Sequence, residues 1–163
     1  MEWHLAQINI GRLRAPIDDP LIVEFRDALE EINALAERSP GFVWRLQTNE
    51  GNATALHPTD DELVIPNMSV WESTESLADF VFRSDHLAFL RRRREWFDRY
   101  DSAYVALWWV AAGDIPTLEE GMERLSILEG DGPTRAAFKF ARRFAPPDVD
   151  TEPAVDLRDV CPV

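Results

Sequence analysis

Two hydrophobic periods alternate along this chain, and their order constrains its fold more than any other feature. Residues 3–10 (WHLAQINI) alternate with period two, as a half-buried strand does. From Leu21 to Arg38 the apolar residues Leu21, Phe25, Leu29, Ile32 and Leu35 keep a helical period, which Ser39-Pro40-Gly41 ends. Phe42–Thr48 reads as a second strand and Leu63–Trp71 as a third, with polar, turn-rich residues 49–62 between them. Pro66 marks an edge, a bulge or an irregular point in the third strand. Ser73 or Thr74 caps a second helical region through Leu77, Phe80 and Val81, which resumes from Leu87 to Phe97 after a break near Ser84-Asp85. Tyr104–Ala111 is a fourth strand, rich in aromatic and β-branched residues. Thr117–Leu128 reads as a helix capped by Thr117, and Ala137–Phe144 as a short extra strand.

The resulting order, β-α-β-β-α-β, is the ferredoxin-like pattern of the α+β class. It predicts an antiparallel sheet with helices on one face, plus an appended C-terminal helix and short strand. The other face must meet water, another domain or a partner subunit. A length of 163 residues suits one domain, expected over residues 1–146. Residues 147–163 are acidic, proline-bearing and aperiodic, and are expected to form a mobile tail.

Charge narrows the partners. A net charge of −13 argues against nucleic acid and against anionic membrane surfaces, which both need a cationic footprint. The single cysteine, Cys161, allows no disulfide within the chain. No basic segment with an apolar run opens the sequence, and no stretch has the apolar length of a membrane span. A cytoplasmic address is the expectation. No spacing points to a metal site, and no phosphate loop or nucleophile elbow is found.

Strand alternation sorts candidate core from candidate site. Ala6, Ile8 and Ile10, then Phe42, Trp44 and Leu46, then Val64, Met68 and Val70 make one uniformly apolar side, suited to packing beneath helices. The other side carries Leu5, Gln7 and Asn9, Val43, Arg45 and Gln47, and Asn67, Ser69 and Trp71. A mostly apolar face with a few convergent polar groups reads as a pocket lining, or as a plain solvated sheet face. Trp108 and Trp109 are neighbours on a strand, so one indole enters the core and the other the mixed face. The alternation alone does not say which is which; Tyr104 shares the Trp108 side and makes it the more amphipathic, which favours Trp108 for the pocket.

Several aromatic-rich blocks occur in order: His4-Leu-Ala-Gln7-Ile-Asn9, Ser39-Pro-Gly-Phe42-Val-Trp44-Arg45, Asn67-Met-Ser-Val-Trp71-Glu-Ser, Ser84-Asp-His86, Arg91-Arg-Arg-Arg-Glu95-Trp96-Phe97, Leu107-Trp-Trp109-Val and Gly113-Asp-Ile-Pro116. Together they resemble a bacterial family, domain of unknown function 3291, over roughly residues 3–144. The resemblance implies the dimeric α+β barrel group. That group contains small antibiotic biosynthesis monooxygenase-like enzymes that use no cofactor, heme-binding enzymes, and proteins without known activity. It implies a homodimer and transfers no catalytic residue.

His86, near the helical break, is the leading candidate for catalysis. It reads as a structural histidine, as a general base, or as a heme ligand. Arg91–Arg94 span a full helical turn, so some are solvated while one or two can reach a carboxylate or an anionic ligand. Gln7, Asn9, Arg45, Asn67, Ser69, Trp71 and Trp108 are the candidate substrate-binding residues. They would orient a carbonyl or phenolate oxygen, or else form hydrogen bonds within a dimer interface. The leading expectation is a dimeric protein that holds a small apolar or aromatic molecule. If it is an enzyme, it is a monooxygenase that needs no cofactor. The alternatives are a heme protein and a non-catalytic binding module.

Overall fold

A computed structural model describes residues 1–149. Its elements are β1 (Trp3–Arg12), α1 (Val23–Glu37), β2 (Phe42–Arg45), β3 (Val64–Trp71), α2 (Thr74–Arg83), α3 (His86–Arg91), α4 (Arg93–Trp96), β4 (Val105–Ala111) and α5 (Leu118–Asp131). The antiparallel sheet runs β2-β3-β1-β4, so the first strand lies inside and the α1 and α2 crossovers return as the ferredoxin-like pattern requires.

Local chemistry sets the boundaries. Ser73 Oγ accepts from the Ser76 N–H and starts α2; Thr117 Oγ1 accepts from the Glu120 N–H and starts α5. Gly132, at φ 70°, ends α5. The expected break at Ser84-Asp85 separates α2 from α3. β2 stops at Arg45, and its pairing with β3 reaches no further than the Leu46 N–H on the Met68 carbonyl. Pro66 therefore lies where β3 has β1 as its sheet neighbour, and its missing N–H costs no ladder bond. The expected strand at 137–144 reduces to isolated bridges: Phe138 and Leu107 of β4 exchange two 2.9 Å backbone bonds, and Ala137 bridges Thr134 and Lys139 bridges Arg142.

Both faces of the sheet are covered, and not as the alternation predicted. The uniformly apolar face (Ala6, Ile8, Ile10, Met68, Val70, Trp108) packs against Leu125 and Leu128 of α5. Gly121 makes this possible, since a Cβ there would stand 2.7 Å from Ile8 Cδ1 and 3.1 Å from Met68 Sδ. The mixed face, expected to stay open for a partner, lies beneath the crossover helices instead. At one end Leu5, Trp71 and Leu107 meet Ala36 of α1 and Leu77, Phe80 and Val81 of α2. At the other, Leu13 and Ile65 meet Ile22, Phe25, Phe89, Trp96 and Phe97. A bulge between Phe42 and Trp44 also moves Phe42 from the apolar side to the Trp71 side. Within the expected tail 147–163, Asp148 lies 3.5 Å from the terminal amino group of Met1; the rest, beyond residue 149, lies outside the described residues.

Candidate functional site

The two apolar clusters on the mixed face leave a polar band between them. Gln7 and Asn9 project from β1; Asn67 and Ser69 project from β3, because odd-numbered residues of both strands share this side. Gln7 stands opposite Ser69, and Asn9 opposite Asn67. Gln7 Nε2 donates to Asn67 Oδ1 at 2.7 Å and to Ser69 Oγ at 3.0 Å. Trp71 Nε1 donates to the same Ser69 Oγ at 2.8 Å. Asn9 Nδ2 reaches Gln7 Oε1 and Asn67 Oδ1, each at 3.4 Å.

Counting donors and acceptors shows what the band can still offer. Ser69 Oγ accepts two hydrogen bonds, so its proton is left to donate. Asn67 uses its oxygen inward, and its Nδ2 has no acceptor among the described residues. Gln7 and Ser69 are buried, Asn9 is half-buried and Asn67 is exposed. The band therefore presents one donor at its surface, Asn67 Nδ2, above a buried Ser69 hydroxyl that still has a proton to give. It carries no formal charge. A neutral carbonyl or a delocalised oxyanion is the kind of group such donors suit.

An aromatic wall closes one side. Trp71 stacks on Phe80, with centroids 5.2 Å apart, and meets Phe42 edge-on at 5.4 Å. Phe80 in turn touches the His86 ring at 4.8 Å. His86 thus lies one ring away from Trp71 and makes no hydrogen bond with the band. Its Nδ1 pairs with the Val81 carbonyl at 3.2 Å, which fixes that nitrogen as the N–H and leaves Nε2 as an acceptor. Burial pushes the imidazole below its ordinary value of 6.5, only partly opposed by the Val81 carbonyl, so the ring is neutral at pH 7.

Two expected members stand elsewhere. Trp108 is fully buried on the opposite, apolar face, where its Nε1 donates to Glu120 Oε1 of α5 at 3.1 Å. Trp109, which the sequence favoured for the core without deciding it, shares the side of Leu5 and Leu107; it is half-buried and donates to the Phe144 carbonyl at 2.8 Å. The amphipathic look of Tyr104 misled that assignment, because Tyr104 itself packs on the α5 side. Arg45 points to the mixed side but is spent on Glu37 Oε1 (2.8 Å) and the Gly51 carbonyl (2.7 Å). It lines a polar groove of about 650 Å³ between α1 and residues 50–52. Phe80 and Phe42 are wall residues that the sequence reading left in the core. The helical spacing of Phe80 gave the only signal, and that spacing cannot tell core from wall. Among the described residues no group of three or more His, Cys, Asp or Glu side chains could hold a metal ion, and no helix is long and apolar enough to cross a membrane.

No curated protein matches this chain. Among solved structures, a mutant of SnoaB, a cofactor-independent oxygenase from Streptomyces nogalater, is similar at 14% identity, with 69% of this chain and 95% of that one covered and a TM-score of 0.46. Rv0793 from Mycobacterium tuberculosis is similar at 17% identity, over 70% of this chain and 99% of that one, with a TM-score of 0.47. The family model for a domain of unknown function, DUF3291, matches residues 4–154, and the chain with this helix-covered amide band belongs to that family.

Proposed function

We propose that this protein binds a small, largely apolar or aromatic molecule against the band, with an oxygen of the ligand accepting from Asn67 Nδ2 and the Ser69 hydroxyl. The observation that carries this reading is the exposed Asn67 amide nitrogen beside the buried Ser69 hydroxyl, whose proton is still free to donate, both set between two aromatic clusters. Trp71 and Asn9 flank the oxygen; Arg45 and Trp108 take no part.

If the protein is an enzyme, it oxygenates a carbon acid without a cofactor. Removing a proton from such a substrate gives a delocalised carbanion whose charge rests on oxygen, the atom the donors would meet. His86 is the base of this reading, through its neutral Nε2. It must then be reached by a substrate that spans Phe80, since the imidazole does not touch the band. The test is titration with 1-naphthol followed by fluorescence, and oxygen uptake with anthrone as carbon acid. Saturable binding that Asn67→Ala weakens supports the site. Oxygen uptake that His86→Gln abolishes supports the reaction, while binding without uptake leaves a non-catalytic binding module.

A second reading is favoured by the His86 Nδ1 bond to a backbone carbonyl, the arrangement that orients a metal-ligating imidazole. Heme would then sit on Nε2. A Soret band with added hemin that His86→Gln removes would establish it.

A cytoplasmic address and a homodimer complete the proposal. Since each sheet face is covered within one chain, such a dimer would use other surface. The β2 edge, where Val43 is exposed, is the candidate, because the outer edge of β4 is already bridged by Phe138.

A further inference from the structure

Helix α1 joins the two apolar clusters that flank the polar band. Phe25 packs with Leu13, Ile65 and Trp96 in one, and Ala36 with Leu5, Trp71 and Leu77 in the other. From Phe25 to Ala36 the helix rises about 16 Å, at ~1.5 Å per residue. On β3, Ile65 to Trp71 covers about 20 Å, at ~3.3 Å per residue. With the ends matched, Ala28 comes level with Asn67, and Ile32 level with Ser69.

The helix has two flanks along this stretch. Leu29, Glu30, Asn33, Ala34 and Glu37 line the polar groove shared with Arg45 and residues 50–52, so that flank looks toward β2 at the sheet edge. Each residue turns about 100° from the last, which puts Ala28, Ile32 and Leu35 together on the other flank. That flank looks toward β3 and β1, the strands that carry the band. All three residues are half-buried, and none belongs to either cluster. They are apolar side chains sheltered over polar ones, to which they can offer no hydrogen bond. Burial beneath them follows their size. Asn67, level with Ala28, is exposed, whereas Ser69, level with Ile32, is buried. The small side chain marks where the band is open.

We propose that Ala28, Ile32 and Leu35 roof the band and select its ligand by thickness. A flat, fused-ring phenol or ketone enters past Ala28, accepts with its oxygen from Asn67 and Ser69, and lays its rings beneath Ile32. This rests on the reading that the band binds a small molecule. Both ends of α1 are held in packed clusters, so the helix does not lift to admit a globular body. The slot is therefore one ring thick, and its apolar roof faces a hydrogen-bonding floor.

The test is fluorescence titration with 1-naphthol, and its displacement by 1-adamantanol, a globular alcohol of equal carbon number. The variants are Ala28→Leu, Ile32→Ala, Asn67→Ala and the control Ala34→Leu on the groove flank. Ala28→Leu should weaken 1-naphthol about tenfold or more, while the control keeps the wild-type affinity. Ile32→Ala should strengthen 1-adamantanol by about tenfold and so narrow the preference for the flat molecule. In the wild type, nuclear Overhauser contacts from the naphthol ring protons should reach the Ala28 and Ile32 methyls, a readout that needs no variant to fold. Naphthol binding that Asn67→Ala weakens, with ring contacts only to other methyls or with affinity unchanged in Ala28→Leu, overturns the roof and leaves the band. An unchanged preference in Ile32→Ala overturns selection by thickness. No binding, or binding that Asn67→Ala leaves unchanged, overturns both the roof and the reading of the band.

Discussion

Gln7 and Asn67 are diagonal, not directly opposite, neighbours on β1 and β3, yet Gln7 Nε2 and Asn67 Oδ1 lie 2.7 Å apart. The diagonal bond turns the Asn67 oxygen inward and its amide nitrogen outward. This one orientation makes the band a donor surface. Replacing Gln7 with alanine should leave buried Ser69 short of a partner and cost on the order of 1–3 kcal/mol. Asn67→Ala removes one acceptor of Gln7 Nε2 at an exposed position where water can replace it, and should cost less, about 1 kcal/mol or below. Urea unfolding of both variants checks the contrast; equal losses would mean that the band is not held by Gln7.

The two neighbouring tryptophans should separate in the same kind of experiment. Trp108→Ala empties a fully buried site and breaks the bond to Glu120, and should cost on the order of 3–5 kcal/mol. Trp109→Ala should cost clearly less, since that indole is half-buried. Thermal melting decides the order, and a greater loss at Trp109 would contradict the assignment of faces.

Gly121→Ala sets two effects against each other. Alanine gains about 1 kcal/mol in helix propensity. The new methyl would press on Ile8 Cδ1 at 2.7 Å, where overpacking costs on the order of 1–3 kcal/mol. Net destabilisation is expected, larger for Gly121→Val. A stabilised Gly121→Ala protein would show that α5 does not pack tightly on the sheet.

Acid should loosen the protein in two stages. His86 has a folded value below its ordinary 6.5, so the unfolded chain binds the proton more readily. Its contribution is present above pH 6.5 and is lost as pH falls through the folded value. Bonds from arginine hold Asp61 below its ordinary 3.8, and Glu24 and Glu95 below 4.5. Their contribution is present above those ordinary values and lost as pH falls further. Melting temperature against pH should therefore decline first below pH 6.5 and again below about pH 4.5. His86→Gln should flatten the first decline alone, and Arg92→Gln the Glu24 and Glu95 share of the second, leaving the Asp61 share that Arg12 sets.

Much of this was legible in the sequence, and the misses have one cause. Period-two alternation correctly grouped Gln7, Asn9, Asn67 and Ser69, because pleating is a local property. It could not say which helix covers which side. That depended on Gly121 letting α5 approach Ile8 and Met68, a contact between distant parts of the chain. The bulge before Trp44 likewise breaks alternation, and the nearby Pro40-Gly41 reads in sequence as the end of the preceding helix. Trp108 was misplaced for the same reason, since Glu120, its partner, comes from the helix whose side was unknown. Arg45 looked available until Glu37 and the Gly51 carbonyl claimed it.

The most direct measurement is the side-chain amide region of a ¹H–¹⁵N NMR spectrum during titration with 1-naphthol. The Nδ2 pair of Asn67, identified by its absence in Asn67→Ala, should shift saturably, with smaller shifts at Asn9 and at the Trp71 indole. An Asn67 pair that stays still while 1-naphthol perturbs other parts of the protein would contradict a binding site on the band.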